Sequence, residues 1–475
     1  MRQLSALLLG LFAAPVLLAA AATPPVSDQE VVARTRAVIE QVIKRPEAVG
    51  LSVSVGRGTR VLIEEGVGIA DLEFDVPANA QTMFRIGSVT KQYTAAGIMK
   101  LVERGKLGLD DDVRKHVPAF DSGGRAVTVR QLLNHTSGVP SYTNQPRFMA
   151  EHAPRDLTHQ QLLETIKGVK FDFEPGTGWN YSNTGYYLLG MVIESADGRP
   201  YARFMQEEFF TPLGLTRTRY GSDREIIRNR AQGYALDANG VRLNDSQISM
   251  NVPGAAGALS ASAGDMVRWQ IALTGGRAVS ADSWRQMTES TVAAGQGGGR
   301  YGFGLNIGGT EGRRRISHNG GIQGFNSVLV YLPEAGLHVA VISNSEALPS
   351  TAVGEQIIAA ITAAVAPAPQ RTTQHPDSEA ALRRLVAEVA EGKPDYSRMG
   401  EQLAAAVRAQ LPGMQPMLRA RGAIQSVTFQ GVGMGGTDAY VVRFADGSGL
   451  NFNIQLDDAG KVVGATVQPV VQPIP

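Results

Sequence analysis

The spacing of apolar and polar positions along the chain changes character several times. Arg2 is followed by an apolar run from Leu7 to Ala20 that ends on Ala20-Ala21-Ala22. The run contains Gly10 and Pro15 and falls short of the ~20 apolar residues that a bilayer span needs. Residues 1–22 therefore read as a cleavable export signal, with the mature chain starting at about Thr23. In residues 29–44, Val31, Val32, Val38, Ile39, Val42 and Ile43 recur at helical spacing and predict an amphipathic helix. Residues 51–73 alternate around Gly56-Arg57-Gly58 and predict a hairpin. A mixed region of short loops and helical segments runs from 80 to 290. Strand patterns return over 301–344, with a turn at Pro333–Gly336, and a closing helix is expected over 351–365. Strands near both ends, with helices between and outside, predict an α+β domain over residues 23–365. Its antiparallel sheet brings the first and last segments together.

A boundary follows. Residues 366–379 combine three prolines with small polar residues and offer no periodic apolar face, so they read as a linker. Beyond it, helical patterns at 379–391 and 398–411 precede strand-like runs at 423–430, 439–445, 450–456 and 462–467. Ala445-Asp446-Gly447 and Asp457-Asp458-Ala459-Gly460 supply hairpin turns. This predicts a small helix-on-sheet accessory domain over 380–475, with no catalytic motif of its own.

Composition narrows the chemistry. The 475 residues are 43% hydrophobic and 19% charged, the balance of an ordinary globular protein. With 45 Lys and Arg against 44 Asp and Glu, nothing in the charge points to nucleic acid or an anionic membrane surface. The chain has no Cys, which excludes a thiolate nucleophile, Cys-ligated zinc and iron–sulfur clusters. No apolar run after the signal approaches membrane-spanning length, so the expected destination is the periplasm or the medium of a bacterial source. No metal or cofactor is expected.

Three motifs carry candidate chemistry. Ser88-Val89-Thr90-Lys91 precedes a helical pattern, which puts Ser88 at a helix N-terminus and Lys91 one turn on, on the same face. A serine there gains an adjacent amine as proton acceptor and a helix dipole that favours a developing oxyanion. The amine serves only if its surroundings depress its pKa from about 10.4. An N-cap serine followed by an exposed lysine has the same local sequence. Tyr181-Ser182-Asn183 follows the loop of Pro175, Gly176 and Gly178. In an extended stretch residues 181 and 183 share a side, so Tyr181 offers a proton relay and Asn183 a donor for a substrate carbonyl. His318-Asn319-Gly320-Gly321 lies before an apolar strand, and its glycines allow a backbone or substrate to come close.

The order Ser-x-x-Lys, Tyr-x-Asn, His-x-Gly resembles that of the serine β-lactamase and penicillin-binding protein superfamily. Tyr-x-Asn in the middle is similar to the class C branch, with its esterases, D-aminopeptidases and DD-carboxypeptidases. The likeness extends to residues 84–113, 128–142, 173–194 and 202–218, and overall to about 28–365. It implies a β-lactamase/transpeptidase-like fold and an acyl-enzyme on Ser88, with Lys91 and Tyr181 sharing proton transfer. It further implies that Asn183 positions the substrate and that His318 lies on the strand lining the cleft. The N–H groups of Ser88 and Gly321 would form the oxyanion hole, with Gly320 beside them. His135 lies in a segment the family uses as scaffold and is expected to be structural.

The sequence departs from the family's penicillin-hydrolysing members at His318, where those carry Lys. A histidine is mostly neutral near pH 7 and grips a carboxylate weakly. That favours esters or uncharged amides as the small-molecule substrate, although Arg313, Arg314 and Arg315 lie near enough to restore a cation. A D-amino-acid-specific peptidase, DD-carboxypeptidase or β-lactamase is the alternative, and a non-catalytic binding protein the third reading.

Overall fold

The computed structural model describes residues 26–222, 224–237, 239–294, 299–310, 313–363, 373–432, 437–457 and 459–470. The expected export signal lies outside these residues, as do 366–372 of the expected linker and Asp458 of the last expected turn.

Ser27 opens the first helix, α1 (Asp28–Val42), through a capping box with Glu30. Strands β1 (Gly50–Arg57) and β2 (Arg60–Asp71) form the first hairpin, turning at Gly58-Thr59 with a bulge at Val55/Gly56. The remaining strands of the large sheet are β3 (Val76–Pro77), β4 (Val292–Ala294), β5 (Gly299–Tyr301), β6 (Asn306–Thr310), β7 (Arg313–Ile322), β8 (Phe325–Leu332) and β9 (Leu337–Ser343). They pair antiparallel in the order β3-β2-β1-β9-β8-β7-β6-β5-β4. The first and last segments of the domain meet where β1 pairs with β9, Leu51 facing Ser343 and Arg57 facing Leu337.

Strand periodicity divides the sheet between two cores. Leu51, Val53 and Val55, with Val328, Val330, Val339 and Val341, face α1 and the closing helix α5 (Ser350–Thr362). Leu329, Ala340 and Ile342 face the other way, into a larger core. That core holds helices α2 (Thr90–Glu103), α3 (Asn183–Asp197) and α4 (Ala263–Thr274). The sequence suggested one apolar stripe on α2, yet ten consecutive residues from Thr90 to Met99 are buried. A helix enclosed on every side needs no polar face, and Tyr93 stacks on Trp269 of α4 at 4.0 Å. Enclosure of α2 is what takes Lys91 out of water.

The C-terminal unit has helices α6 (Ser378–Glu391) and α7 (Glu401–Arg421) and a separate sheet, β10 (Ile424–Val432), β11 (Asp438–Phe444), β12 (Gly449–Leu456) and β13 (Val462–Pro469), paired in chain order. The pattern predicted that the second helix ends at 411, before a proline. It continues through Pro412 and Pro416 to Arg421. Four apart, the two rings share the exposed face, where water can satisfy the freed carbonyls. Leu411, Met414, Met417 and Leu418 hold the other face on the core. Among the described residues no helix is long and apolar enough to cross a membrane.

Leu51 is fully buried between β2 and β9. Leu51→Ala should cost about 2–5 kcal/mol, read as a lowered denaturant midpoint for the first cooperative transition by circular dichroism.

Candidate active site

Ser88 sits in the 3-10 turn Gly87–Val89 that leads into α2. Its hydroxyl caps no backbone group of either helix; it receives Lys91 Nζ at 3.2 Å. The same amine donates to Asn183 Oδ1 at 2.8 Å and to the Ala256 carbonyl at 2.8 Å, and lies 4.8 Å from the Tyr181 ring centroid. None of these partners is a carboxylate. Burial therefore holds the Lys91 amine well below the ordinary lysine range.

Asn183 is fixed from its other end. Its Nδ2 donates to Thr143 Oγ1 at 3.0 Å, and its backbone N–H to Ser141 Oγ at 3.1 Å. Its Oδ1 is thus turned toward the lysine. The Tyr181 hydroxyl is buried and makes no hydrogen bond of normal geometry. Burial raises its pKa well above the usual phenol range, and the neighbouring Ser88 hydroxyl draws it back only in part. Tyr181 therefore keeps its proton, while the amine of Lys91 is the group that gives its proton up.

The backbone of β7 reaches Ser88 because two glycines permit it. A Cβ on Gly320 would lie 2.1 Å from the Ile86 carbonyl oxygen, and one on Gly87, where φ is +49°, would lie 3.0 Å from the Gly321 nitrogen. Ser327 Oγ donates to that Ile86 carbonyl at 2.7 Å and ties turn to sheet. Pairing of β7 with β6 ends at Ser317, so from His318 onward that edge is open. Residues Gln323-Gly324 close the β7–β8 hairpin, and alternation makes Gly321 and Asn326 a non-hydrogen-bonded pair. The Gly321 N–H thus faces the open edge beside Ser88, on the side where an oxyanion-hole donor is needed.

His318 was expected on the cleft wall as a substrate-binding residue. It instead shares the buried face of β7 with Ile316 and Gly320 and is 2% exposed. Nδ1 meets the Asn319 carbonyl at 2.7 Å and Nε2 the Tyr301 hydroxyl at 2.8 Å. A carbonyl only accepts, so Nδ1 carries the hydrogen and Nε2 accepts from Tyr301. Burial first and Lys91 second pull the His318 pKa down to about 3. Two of the three arginines expected to supply a cation are engaged elsewhere: Arg315 pairs with Glu355, and Arg314 donates to the Thr288 carbonyl at 3.1 Å. His135, set aside as structural, is buried with φ +64° and accepts the Ser182 N–H at 3.2 Å through Nδ1. Its ring packs 4.4 Å from that of Tyr181.

Sequence reasoning missed Ala256, Thr143 and Tyr301. Ala256 acts through its carbonyl, and the only trace was the small-residue run Pro253-Gly254-Ala255-Ala256-Gly257. The cleft at Ser88 has a volume of about 100 Å³ and is walled by Tyr142, Met149, Ile248, Val252 and Ile322, with Asn183, Gly321 and Gln323 as polar points. A larger cavity of about 650 Å³ near Asp156 and Arg219 touches none of the three motifs.

The Beta-lactamase family profile matches residues 35–363, more than two-thirds of the chain and all three motifs. The chain belongs to the Beta-lactamase family. It is a serine hydrolase of this family, and its fold is the β-lactamase/transpeptidase-like one with a separate C-terminal sheet domain. Penicillin-binding protein 4* of Bacillus subtilis is 31% identical over 311 residues, 62% of this chain and 68% of that protein. Among solved structures, a D-stereospecific amidohydrolase from Streptomyces is 29% identical with a TM-score of 0.61, covering 70% of this chain and 99% of its own. An octameric penicillin-binding protein homologue from Pyrococcus abyssi is 25% identical with a TM-score of 0.62, covering 92% of this chain and 89% of its own.

The depressed lysine has a measurable linkage. The unfolded amine titrates at about 10.4, so unfolding takes up a proton at any pH between the folded value and that one. Wild-type stability should therefore rise with pH in this window and fall as the pH drops through the folded value. Between pH 8 and 10 the slope should exceed that of Lys91→Met by up to about 1.4 kcal/mol per pH unit, read from denaturant midpoints. Equal slopes would mean that the amine is not desolvated.

Proposed function

We propose that this protein is an exported hydrolase that cleaves amide bonds, and more readily activated esters, through an acyl-enzyme on Ser88. The observation that carries the reading is the buried amine of Lys91 at 3.2 Å from Ser88 Oγ, with no carboxylate to hold it charged. Lys91 takes the Ser88 proton as Oγ attacks the carbonyl carbon. The N–H groups of Ser88 and Gly321 receive the oxyanion, and Asn183 orients the substrate. Tyr181, whose phenol keeps its proton, gives it to the leaving group and is reprotonated from Lys91. Water then attacks the acyl-enzyme and releases the acid.

Two considerations favour amides. An amine leaves only after protonation, so a tyrosine held in its acid form matters most for C–N cleavage. The similarity to a D-stereospecific amidohydrolase and to the D-amino acid amidase of Ochrobactrum anthropi, 26% identical over 70% of this chain with a TM-score of 0.62, supports the same class and D-configured substrates. Charge argues against efficient β-lactam turnover, because apart from Lys91, whose charge burial disfavours, neither Arg nor Lys is among the described residues walling the cleft at Ser88, and Arg85 and Arg230 line only the adjoining cavity. His318, neutral and turned inward, fixes β7 against Tyr301 and does not read substrate charge. The C-terminal unit supplies no catalytic group.

Ser88→Ala should abolish both turnover and labelling by a fluorophosphonate while leaving the circular dichroism spectrum unchanged, since the hydroxyl caps nothing. Activity within tenfold of wild type would remove Ser88 as the nucleophile. Tyr181→Phe should cost about 10²–10⁴ in kcat on an anilide and clearly less on a p-nitrophenyl ester, whose leaving group departs without a proton. Equal losses on both would place Tyr181 outside leaving-group protonation. D-aminoacyl amides should be hydrolysed faster than their L-isomers, and nitrocefin more slowly than either; the reverse order would favour a penicillinase.

A further inference from the structure

We propose that a cavity of about 340 Å³ behind the catalytic cleft is a second binding site, and that its ligand is an organic ammonium with an apolar body. The volume falls within the ~300–1,000 Å³ of small-molecule sites.

The helix that brings Asn183 to Lys91 also builds this cavity, two turns further on. Tyr187, Gly190 and Glu194 recur on one face of α3 at helical spacing and line it. Its floor is Gly254-Ala255, which packs close because Gly190 has no side chain: a Cβ there would lie 2.6 Å from Ala255 Cβ. The next residue, Ala256, gives its carbonyl to Lys91, yet the cavity shares no wall residue with the cleft at Ser88. The two are back to back across one turn of chain.

Aromatic rings and one carboxylate set the ligand chemistry. Tyr187, Tyr201 and Tyr220 line the cavity, the last two standing edge to face at 6.0 Å. Their hydroxyls are held by His159 at 2.8 Å, Thr94 at 2.7 Å and the Met250 carbonyl at 3.1 Å, which fixes the rings. Ring faces attract cations. Burial pushes the Glu194 carboxyl up, but bonds from His159 and the Tyr201 N–H outweigh it and hold the pKa below the usual value. Glu194 is therefore an anion at neutral pH. Its oxygens accept from His159 Nε2 at 2.9 Å and from that N–H at 2.7 Å, and each keeps a lone pair for a further donor. A neutral His159 meets both of its bonds, accepting from Tyr187 and donating to Glu194. Among the described residues neither Arg nor Lys lines this cavity. In the larger cavity that adjoins it at Tyr220, Arg219 pairs with Glu225 and Arg224 with Asp156. One unmatched negative charge beside three rings is the chemistry that recognises an ammonium group. On the amide-cleaving reading above, the released amine is a cation of this class.

Calorimetric titration of the intact protein with phenethylammonium should give a Kd below about 1 mM. The uncharged 2-phenylethanol, of nearly the same shape, should bind at least about tenfold more weakly. Glu194→Gln and Tyr220→Ala should each weaken the ammonium by at least about tenfold. If one variant loses its circular dichroism spectrum the other carries the comparison, and the alcohol needs no variant. Protein whose Ser88 carries a fluorophosphonate should still bind, since the two cavities share no wall. The second site is overturned by any of four results: no saturable binding below about 10 mM, equal affinity for the alcohol, undiminished binding by a folded variant, or loss of binding on labelling. A Ser88 that does not label removes the hydrolase reading instead, and the ammonium site is then decided by the alcohol and the two variants.

Discussion

The candidate active site depends on an amine buried without an opposing charge. Lys91 is enclosed by α2, α3 and the turn at Ala256, and its three partners are a hydroxyl, an amide oxygen and a backbone carbonyl. A neutral amine has two N–H groups, enough for Asn183 Oδ1 and the Ala256 carbonyl, and keeps its lone pair for the Ser88 hydroxyl; none of the three partners stabilises the ammonium as a carboxylate would. The protein therefore spends folding stability to keep a strong base in its free form. The aromatic surroundings serve the same end, since Tyr181, Tyr186, Tyr301, His135 and His318 exclude water while contributing no anion.

A second constraint is the close approach of two backbones. The Ser88 turn is anchored through Ile86, whose N–H reaches Leu259 O at 3.0 Å and whose carbonyl accepts Ser327 Oγ. With Gly87 and Gly320 lacking side chains, the edge of β7 lies near enough for the N–H groups of Ser88 and Gly321 to serve as the oxyanion donors proposed above. Donor placement is then a property of the sheet rather than of mobile side chains, which is the preorganisation that oxyanion stabilisation requires.

Much of this was legible in the sequence where it depends on periodicity or motif. Helix α1, the first hairpin and the four C-terminal strands fell within a few residues of their expected spans, because one-sided burial imposes a clear period on each. Ser88, Lys91, Tyr181 and Asn183 were legible through side chains whose chemistry is distinctive. What escaped notice acts through groups every residue possesses: the Ala256 carbonyl carries no compositional mark. The orientation of His318 also escaped, since the face it occupies is set by a register with β8 that no local pattern reveals. The passage of α7 through Pro412 shows packing on Leu418 and Met414 overriding local propensity.

The pairing of β1 with β9 has a consequence for when activity first appears. Leu51 and Ser343 are partners almost three hundred residues apart, and β7 gains its second neighbour only when β8 is in place. Loop-closure entropy makes such distant pairings late steps. Ser88 and Lys91 leave the ribosome early, yet the edge carrying Gly321 cannot be positioned until the strands that follow it have arrived. The large sheet is thus closed only once β9 is available, since that strand alone joins the first hairpin to the edge that carries Gly321.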